Sequence, residues 1–252
     1  MSIRIYVYRL LVLAGTLGLW QGLTSSGLAN PFWTSSPALI AERTWKLVLD
    51  GEIFYHFGIT INEAFSGLVA GTIAGVILGL ATSVNRTFGM VFEPFIIALN
   101  SLPRVALGPL LVMYVGIGFA SKFLLAFSLV VVVVMLSTFE GVRSVDPTLI
   151  SALRTLQASK RQLFTKLLLP NSIPWILSAV RVSIPFAIIG AIVGEFISAQ
   201  AGIGFMIDEA SGAFDTTGML TPLLWLMVFA FTLDRAVLAL STHLMRWRPV
   251  AL

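Results

Sequence analysis

The run FLLAFSLVVVVVMLSTF, residues 123–139, carries no charged residue, and no other feature limits this chain's fold as strongly. Such a segment belongs in lipid, where a helix satisfies its backbone N–H and C=O groups internally. Only 11% of the 252 residues are charged, against about 25% in a soluble domain. The chain is therefore read as an all-α integral membrane protein. At roughly 20 residues per span it has room for about five to seven helices. Cysteine is absent, which excludes disulfides, thiol catalysis and thiolate metal sites. His56 and His243 lie far apart, so no metal site is expected. A net charge of +4 reports topology in a membrane chain, and no nucleic-acid partner is expected.

The apolar runs predict about six transmembrane helices, near residues 8–28, 59–84, 88–115, 121–140, 173–197 and 219–245. The first run follows Arg4 and Arg9, and Gly27-Leu28-Ala29 resembles a signal-peptide cleavage site. A retained span is preferred because the loops then balance. Residues 37–54 place Glu42, Arg43, Lys46 and Asp50 opposite an apolar face, as in a helix lying along the interface. Residues 1–58 thus form a first span plus interfacial segment, and 59–252 a core of five spans.

Within the second run Gly67, Gly71, Gly75 and Gly79 recur at four-residue spacing. That row strips side chains from one helix face and predicts close helix packing. Pro94, Pro103 and Pro109 predict a kinked or broken third helix. Broken membrane helices are tolerated where they face protein or a watery cavity, so 100–109 is a candidate pathway wall. With the N-terminus inside, ten of the sixteen basic residues fall on the inner side: Arg4, Arg9, Arg86, Arg143, Arg154, Lys160, Arg161, Lys166, Arg246 and Arg248. The outer loop 198–218 carries Asp208, Glu209 and Asp215 and no basic residue. The positive-inside rule then puts both termini in the cytoplasm.

Residues 150–170, ISALRTLQASKRQLFTKLLLP, form a polar, basic island between apolar runs. Asp146-Pro147 is a helix start, and Leu149, Leu153 and Leu156 share one face. Ser159 with Gln162 matches a capping box for a second short helix bearing Leu163, Phe164 and Leu167, which Pro170 closes. The expectation is two short amphipathic helices joined near 157–159. They either lie on lipid through their basic residues or dock a soluble partner.

Ionisable groups inside spans usually face a bundle interior or cavity, which singles out Glu63, Glu93, Arg104, Arg181, Glu195, Asp234 and Arg235. Arg104 sits in the proline-broken region and, with Asn100, is read as a cavity-facing pathway group. Glu195 is either a gate or a structural hydrogen-bonding residue. Asp234 and Arg235 are read as ties between helices rather than as a mutual pair, and Trp225 and Trp247 as interfacial anchors.

Anchored on Leu169-Pro170, the island resembles the cytoplasmic loop of ABC-transporter permease subunits from binding-protein-dependent importers. Their motif runs Glu-Ala-Ala, three residues, Gly, nine residues, Ile, one residue, Leu-Pro. Ser151-Ala152-Leu153 stands at Glu-Ala-Ala, Gln157 at the glycine and Leu167 at the isoleucine, so the glutamate and the glycine are missing. The flanking residues, and segments 102–122 (LPRVALGPLLVMYVGIGFASK), 141–147 (GVRSVDP), 193–207 (VGEFISAQAGIGFMI) and 233–248 (LDRAV…MRWR), resemble the subgroup that imports nitrate, taurine and alkanesulfonates.

The resemblance implies a multi-pass permease of the bacterial cytoplasmic membrane that pairs with a second, identical permease. An extracytoplasmic binding protein would deliver the solute. An ATP-binding subunit would receive the loop 141–172 between spans four and five through Ser151, Ala152, Leu153, Leu156, Gln157, Ala158, Ser159, Leu163 and Phe164. This chain has no G-x-x-x-x-G-K-[ST] loop, so ATP and magnesium are expected on the partner, with no cofactor here. The alternatives are a self-contained secondary transporter, which lacks the expected halves-repeat, and an intramembrane enzyme, which lacks a nucleophile–base or metal constellation.

Overall fold

The computed structural model describes residues 3–84 and 86–245. Arg246, Trp247 and Arg248, and the side chains of Arg86 and Glu93, fall outside that description. Every regular element among the described residues is a helix. α1 (Ile3–Ser25), α2 (Pro31–Thr34) and α3 (Pro37–Leu49) come first. A capping residue followed by proline starts both α2 and α3. Asn30 Oδ1 accepts from the Phe32 N–H at 2.9 Å, and Ser36 Oγ from the Leu39 N–H at 3.2 Å, satisfying donors that a helix start leaves open.

α4 (Glu52–Val84), α5 (Arg86–Ser101) and a tight turn at Arg104–Leu107 lead into α6 (Gly108–Val115) and α7 (Phe119–Arg143). Then come α8 (Pro147–Thr155), α9 (Lys160–Leu163), a π-helical segment at Phe164–Leu168, α10 (Leu169–Ser198), α11 (Ile203–Gly212) and α12 (Thr216–Leu244).

The expectation of about six spans is overturned. Among the described residues, four helices are long and apolar enough to cross a membrane: Glu52–Ser83, Phe119–Arg143, Lys160–Ser198 and Thr216–Leu244. A fifth is reached only if Gly89–Ser101 and Arg104–Val115, bent by 79° where Pro103 intervenes, make one span. α1 is not among them; Arg4 and Arg9 at one end and Gln21 at the other flank its apolar run. The parity argument for the termini loses its basis with the sixth span.

Two further readings change. Pro170 does not close the helix after Ser159. The chain runs continuously from Lys160 to Ser198, and the Leu169 N–H reaches back to the Phe164 carbonyl in a widened turn. A π-turn of this kind lets a helix continue past a residue that lacks a donor. The segment 198–218, expected to be an outer loop, also contains a helix, α11, with Ile203 and Ile207 buried one turn apart.

The chain divides into two compact units. One comprises the residues up to Ile59 with Gln200–Met227. Here the buried His56 accepts from the Gly202 N–H through Nδ1 at 2.9 Å and stacks on Phe205. Trp225, read as an interfacial anchor, lies edge-on to Phe54 and Phe57. Thr216 donates to the Phe32 carbonyl at 2.6 Å, and Ser35 pairs with Thr217 at 2.8 Å.

The second unit comprises Thr60–Ala199 and the residues from Val228 on. α7 is its centre, and Leu125, Ala126, Val130 and Val134 are fully buried. The glycine row of α4 runs along α7. A Cβ at Gly67 would come within 2.6 Å of Ala126 Cβ, at Gly71 and Gly75 within 2.8 Å of the Val130 and Val134 Cβ atoms, and at Gly79 within 2.6 Å of Thr138 Cβ. Two rows of four-residue period lie against each other with no room for a methyl group. From the other helix, Gly190 and Gly194 of α10 approach the backbone at Ala126 and Lys122.

Candidate coupling loop and translocation path

The polar island folds as two locally determined helices. Asp146 Oδ1 accepts from the Thr148 N–H at 2.8 Å, and this hydrogen bond holds the carboxyl below the usual aspartate range. The cap is therefore intact at neutral pH and weakens only as pH falls through the depressed value. At its other end α8 closes in a Schellman turn. The Ala158 N–H donates to the Leu153 carbonyl at 3.0 Å and the Gln157 N–H to the Arg154 carbonyl at 2.9 Å, with Gln157 at φ +57°. These are the 6→1 and 5→2 bonds of that motif. Gln157 therefore occupies the left-handed position that favours glycine.

Ser159 then starts α9 with a reciprocal capping box. Its Oγ accepts from the Gln162 N–H at 3.2 Å, while Gln162 Oε1 accepts from the Ser159 N–H at 2.8 Å. Ser151 donates to the Pro147 carbonyl at 3.0 Å. Leu149 is 51% and Leu156 77% exposed, and Ala152 is also exposed. Leu153, Ala158, Leu163 and Phe164 are half-buried.

Asn171 supports the far end of the loop by donating to the Gly141 carbonyl at 3.0 Å and to Ser144 Oγ at 3.1 Å. The loop is thus pinned to the end of α7 from which it departs.

The broken region brings Asn100 and Arg104 together. Arg104 Nη2 donates to Asn100 Oδ1 at 2.9 Å, and Nη1 reaches the Ser128 and Leu129 carbonyls of α7 at 3.2 and 3.3 Å. A half-buried guanidinium is held partway along α7 by neutral acceptors, and Asn100 stays exposed.

Glu195 is placed differently from these two. It is 2% exposed and accepts from Thr60 Oγ1 at 2.6 Å. Glu63, also 2% exposed, lies beside Glu195 and faces Lys122 Nζ at 3.6 Å. Glu195, read as either a gate or a structural residue, is thus enclosed beside Thr60 of α4 and Glu63. Lys122 was not singled out from the sequence. Its place in the apolar run entering α7 was the available signal, because a lysine there needs a buried partner.

Arg181 of α10 and Asp234 of α12 form a two-pronged pair at 2.8 and 3.1 Å, a tie between helices. Arg235 lies over the Phe231 ring and only 3.9 Å from Asp234.

Four long apolar helices among the described residues, with a proline-broken segment and a self-capped polar loop, are those of a multi-pass membrane protein. The profile of binding-protein-dependent transport system inner membrane components matches residues 67–246, and the chain belongs to that family. It is the non-catalytic permease subunit of an ABC-type importer, a multi-pass membrane protein that works with an ATPase.

A riboflavin transport system permease protein of Chloroflexus aurantiacus is 32% identical over 90% of this chain and 85% of its own length. A putative aliphatic sulfonates transport permease protein of Bacillus subtilis is 28% identical, covering 95% and 87%. The taurine transport system permease protein of Escherichia coli is 27% identical, covering 93% and 87%. The fold is shared with a chain of the inward-facing MetNI methionine ABC transporter, with a TM-score of 0.65 at 18% identity over 73% of this chain and 92% of that one.

Proposed function

We propose that this chain is the membrane path of an ATP-driven importer for a small anionic solute, within the subgroup that carries nitrate, taurine and alkanesulfonates. The observation that carries the reading is the α8–turn–α9 unit. Each helix is fixed by its own cap, so the unit holds its shape alone, yet it displays Leu149 and Leu156 to solvent. A rigid element with an exposed leucine face suits insertion into a groove.

The groove belongs to the ATP-binding subunit, on the cytoplasmic side to which the basic loop residues assign it. Ser151, Ala152, Leu153, Leu156, Gln157, Ala158, Ser159, Leu163 and Phe164 form the contact, and closure of the ATPase moves α7 and α10 through it. An extracytoplasmic binding protein delivers the solute to a core at 59–252, and a second, identical copy completes the path. Asn100 and Arg104 line it, and the guanidinium with only neutral acceptors supports an anionic cargo. The relatives named for sulfonates and taurine support the subgroup, while the riboflavin relative shows how far the cargo of similar permeases ranges.

The test is affinity capture from native membranes in mild detergent, comparing wild type with Leu156→Asp. Wild type should bring down an ATPase and a binding protein, and mass spectrometry of the latter's ligand should find an anion. Burying a carboxylate in the groove should weaken ATPase retention at least about tenfold, with an unchanged size-exclusion profile. Retention and uptake left intact would remove the docking assignment, and a ligand bearing no anionic group would remove the anion reading.

A further inference from the structure

Arg181, Asp234 and Arg235 set two positive charges against one negative inside membrane-length helices. Asp234 is committed to one of them. Its Oδ1 accepts from Arg181 Nε at 2.8 Å and its Oδ2 from Arg181 Nη2 at 3.1 Å, a two-pronged pair that takes up the carboxylate. Arg235 Nε stays 3.9 Å from Asp234 Oδ2, too far for a hydrogen bond. Among the described residues no other acid lies within 4 Å of Arg235.

The Arg235 side chain is 58% exposed, and it does not reach for the near end of its helix. Its guanidinium lies 4.8 Å over the ring of Phe231, one turn back toward the N-terminus, the direction that helical side chains take. Phe231 stands close to the midpoint of α12, Thr216–Leu244. A long basic side chain that faces lipid turns its charge toward the nearer headgroups. This one keeps its charge at mid-length. Val228 and Phe231, on the same helix face, are exposed with it. The ring covers one side of the guanidinium plane and leaves the N–H edge open.

We propose that Arg235 is a solute-contact residue of the translocation path, presenting its N–H edge to the carboxylate, sulfonate or nitrate oxygens of an anion in transit, with Phe231 as the platform behind it. The inference deepens the reading of the chain as a path for a small anion and rests on it. Charges at this depth face a bundle interior or a water-filled cavity, and the exposed edge of Arg235 belongs to the second case. Its planar fork matches the oxygens of such anions two at a time. The Arg181 pair keeps Asp234 from competing for that fork. The same carboxylate, close by, keeps the site from holding the anion too tightly, as a path requires entry and release together. Depth argues against a phospholipid as the source of the anion, because headgroup phosphates lie at the edge of the hydrocarbon, about 15 Å from its centre.

The chain has no cysteine, so Val228→Cys puts a single thiol on this face beside an intact Arg235. Membranes holding the assembled importer are treated with two water-soluble thiosulfonate reagents, one ending in a sulfonate and the other in a trimethylammonium group. The thiolate is the reactive form, and it forms only where water reaches. Each rate is divided by that of the same reagent with a small free thiol. The sulfonate reagent should then be favoured by about tenfold. Arg235→Gln in the same background should abolish the preference, and Arg235→Lys should keep most of it, which separates loss of the charge from loss of the fold. No reaction with either reagent would put the face in lipid and overturn the site. No reaction together with a disulfide-linked dimer on mild oxidation would give the face to a second copy of the chain and also overturn it. Equal rates, or a preference that survives Arg235→Gln, would overturn the anion contact. A captured ligand without an anionic group would overturn the cargo reading, which affinity capture tests, whereas the thiol rates test Arg235.

Discussion

Gln157 shows how a single residue can be at odds with the turn it occupies. Its φ of +57° is left-handed, a conformation that costs a side-chain-bearing residue about 1 kcal/mol or more. The turn forms because the two Schellman hydrogen bonds and the capping box at Ser159 fix the chain on both sides. Gln157→Gly relieves the strain without touching a contact, so the loop should gain about 0.5–1 kcal/mol. Hydrogen exchange at the Ala158 amide, which donates to Leu153, should slow roughly two- to fivefold. Unchanged or faster exchange would mean the loop is not limited by this residue. The sequence made the turn legible near 157–159 through Ser159 and Gln162. Glutamine by itself gives no sign of a left-handed residue; the signal was the resemblance, which sets Gln157 at the glycine of the permease loop motif.

At the scale of elements, the glycine spacing was legible because its cause is local: a four-residue period puts every member on one helix face. The partner was not legible. The Ala126, Val130, Val134 and Thr138 row of α7 has the same period, but nothing in a valine-rich run marks which face receives glycine. A methyl group at Gly75 would lie 2.7 Å from the Val131 carbonyl oxygen and 2.8 Å from Val134 Cβ, and the backbone cannot rotate aside. Gly75→Ala should therefore destabilise the detergent-solubilised protein by about 1–3 kcal/mol. Gly15→Ala is the control, since nothing lies within 4 Å of its new methyl group, and alanine is the better helix former. The two variants compared by thermal unfolding decide the matter: equal midpoints would mean that α4 and α7 are not in close contact. Pro170 marks the limit of local rules, because the π-turn before it absorbs the missing donor and the helix goes on.

At the scale of the molecule, counting apolar runs failed where composition and geometry part company. α1 is not among the candidate spans, and the third run bends by 79°. The same scale hides the buried charges, because residues 63, 122 and 195 meet only once α4, α7 and α10 have packed. Removing one member of such a group leaves a charge in a medium that cannot solvate it, which costs more than the group's net stabilisation. Lys122→Met leaves Glu63, which lies beside Glu195, without its ammonium neighbour and should destabilise by about 3–5 kcal/mol. Adding Glu63→Gln removes the stranded carboxyl and should recover a large part of that loss, a non-additive result in a double-mutant cycle read by thermal unfolding. If the losses simply add, Glu63 and Lys122 are not coupled. The glycines already bring α4 and α10 against α7, so this cluster adds orientation: only one rotation of each helix lets Lys122 face Glu63 while Thr60 meets Glu195.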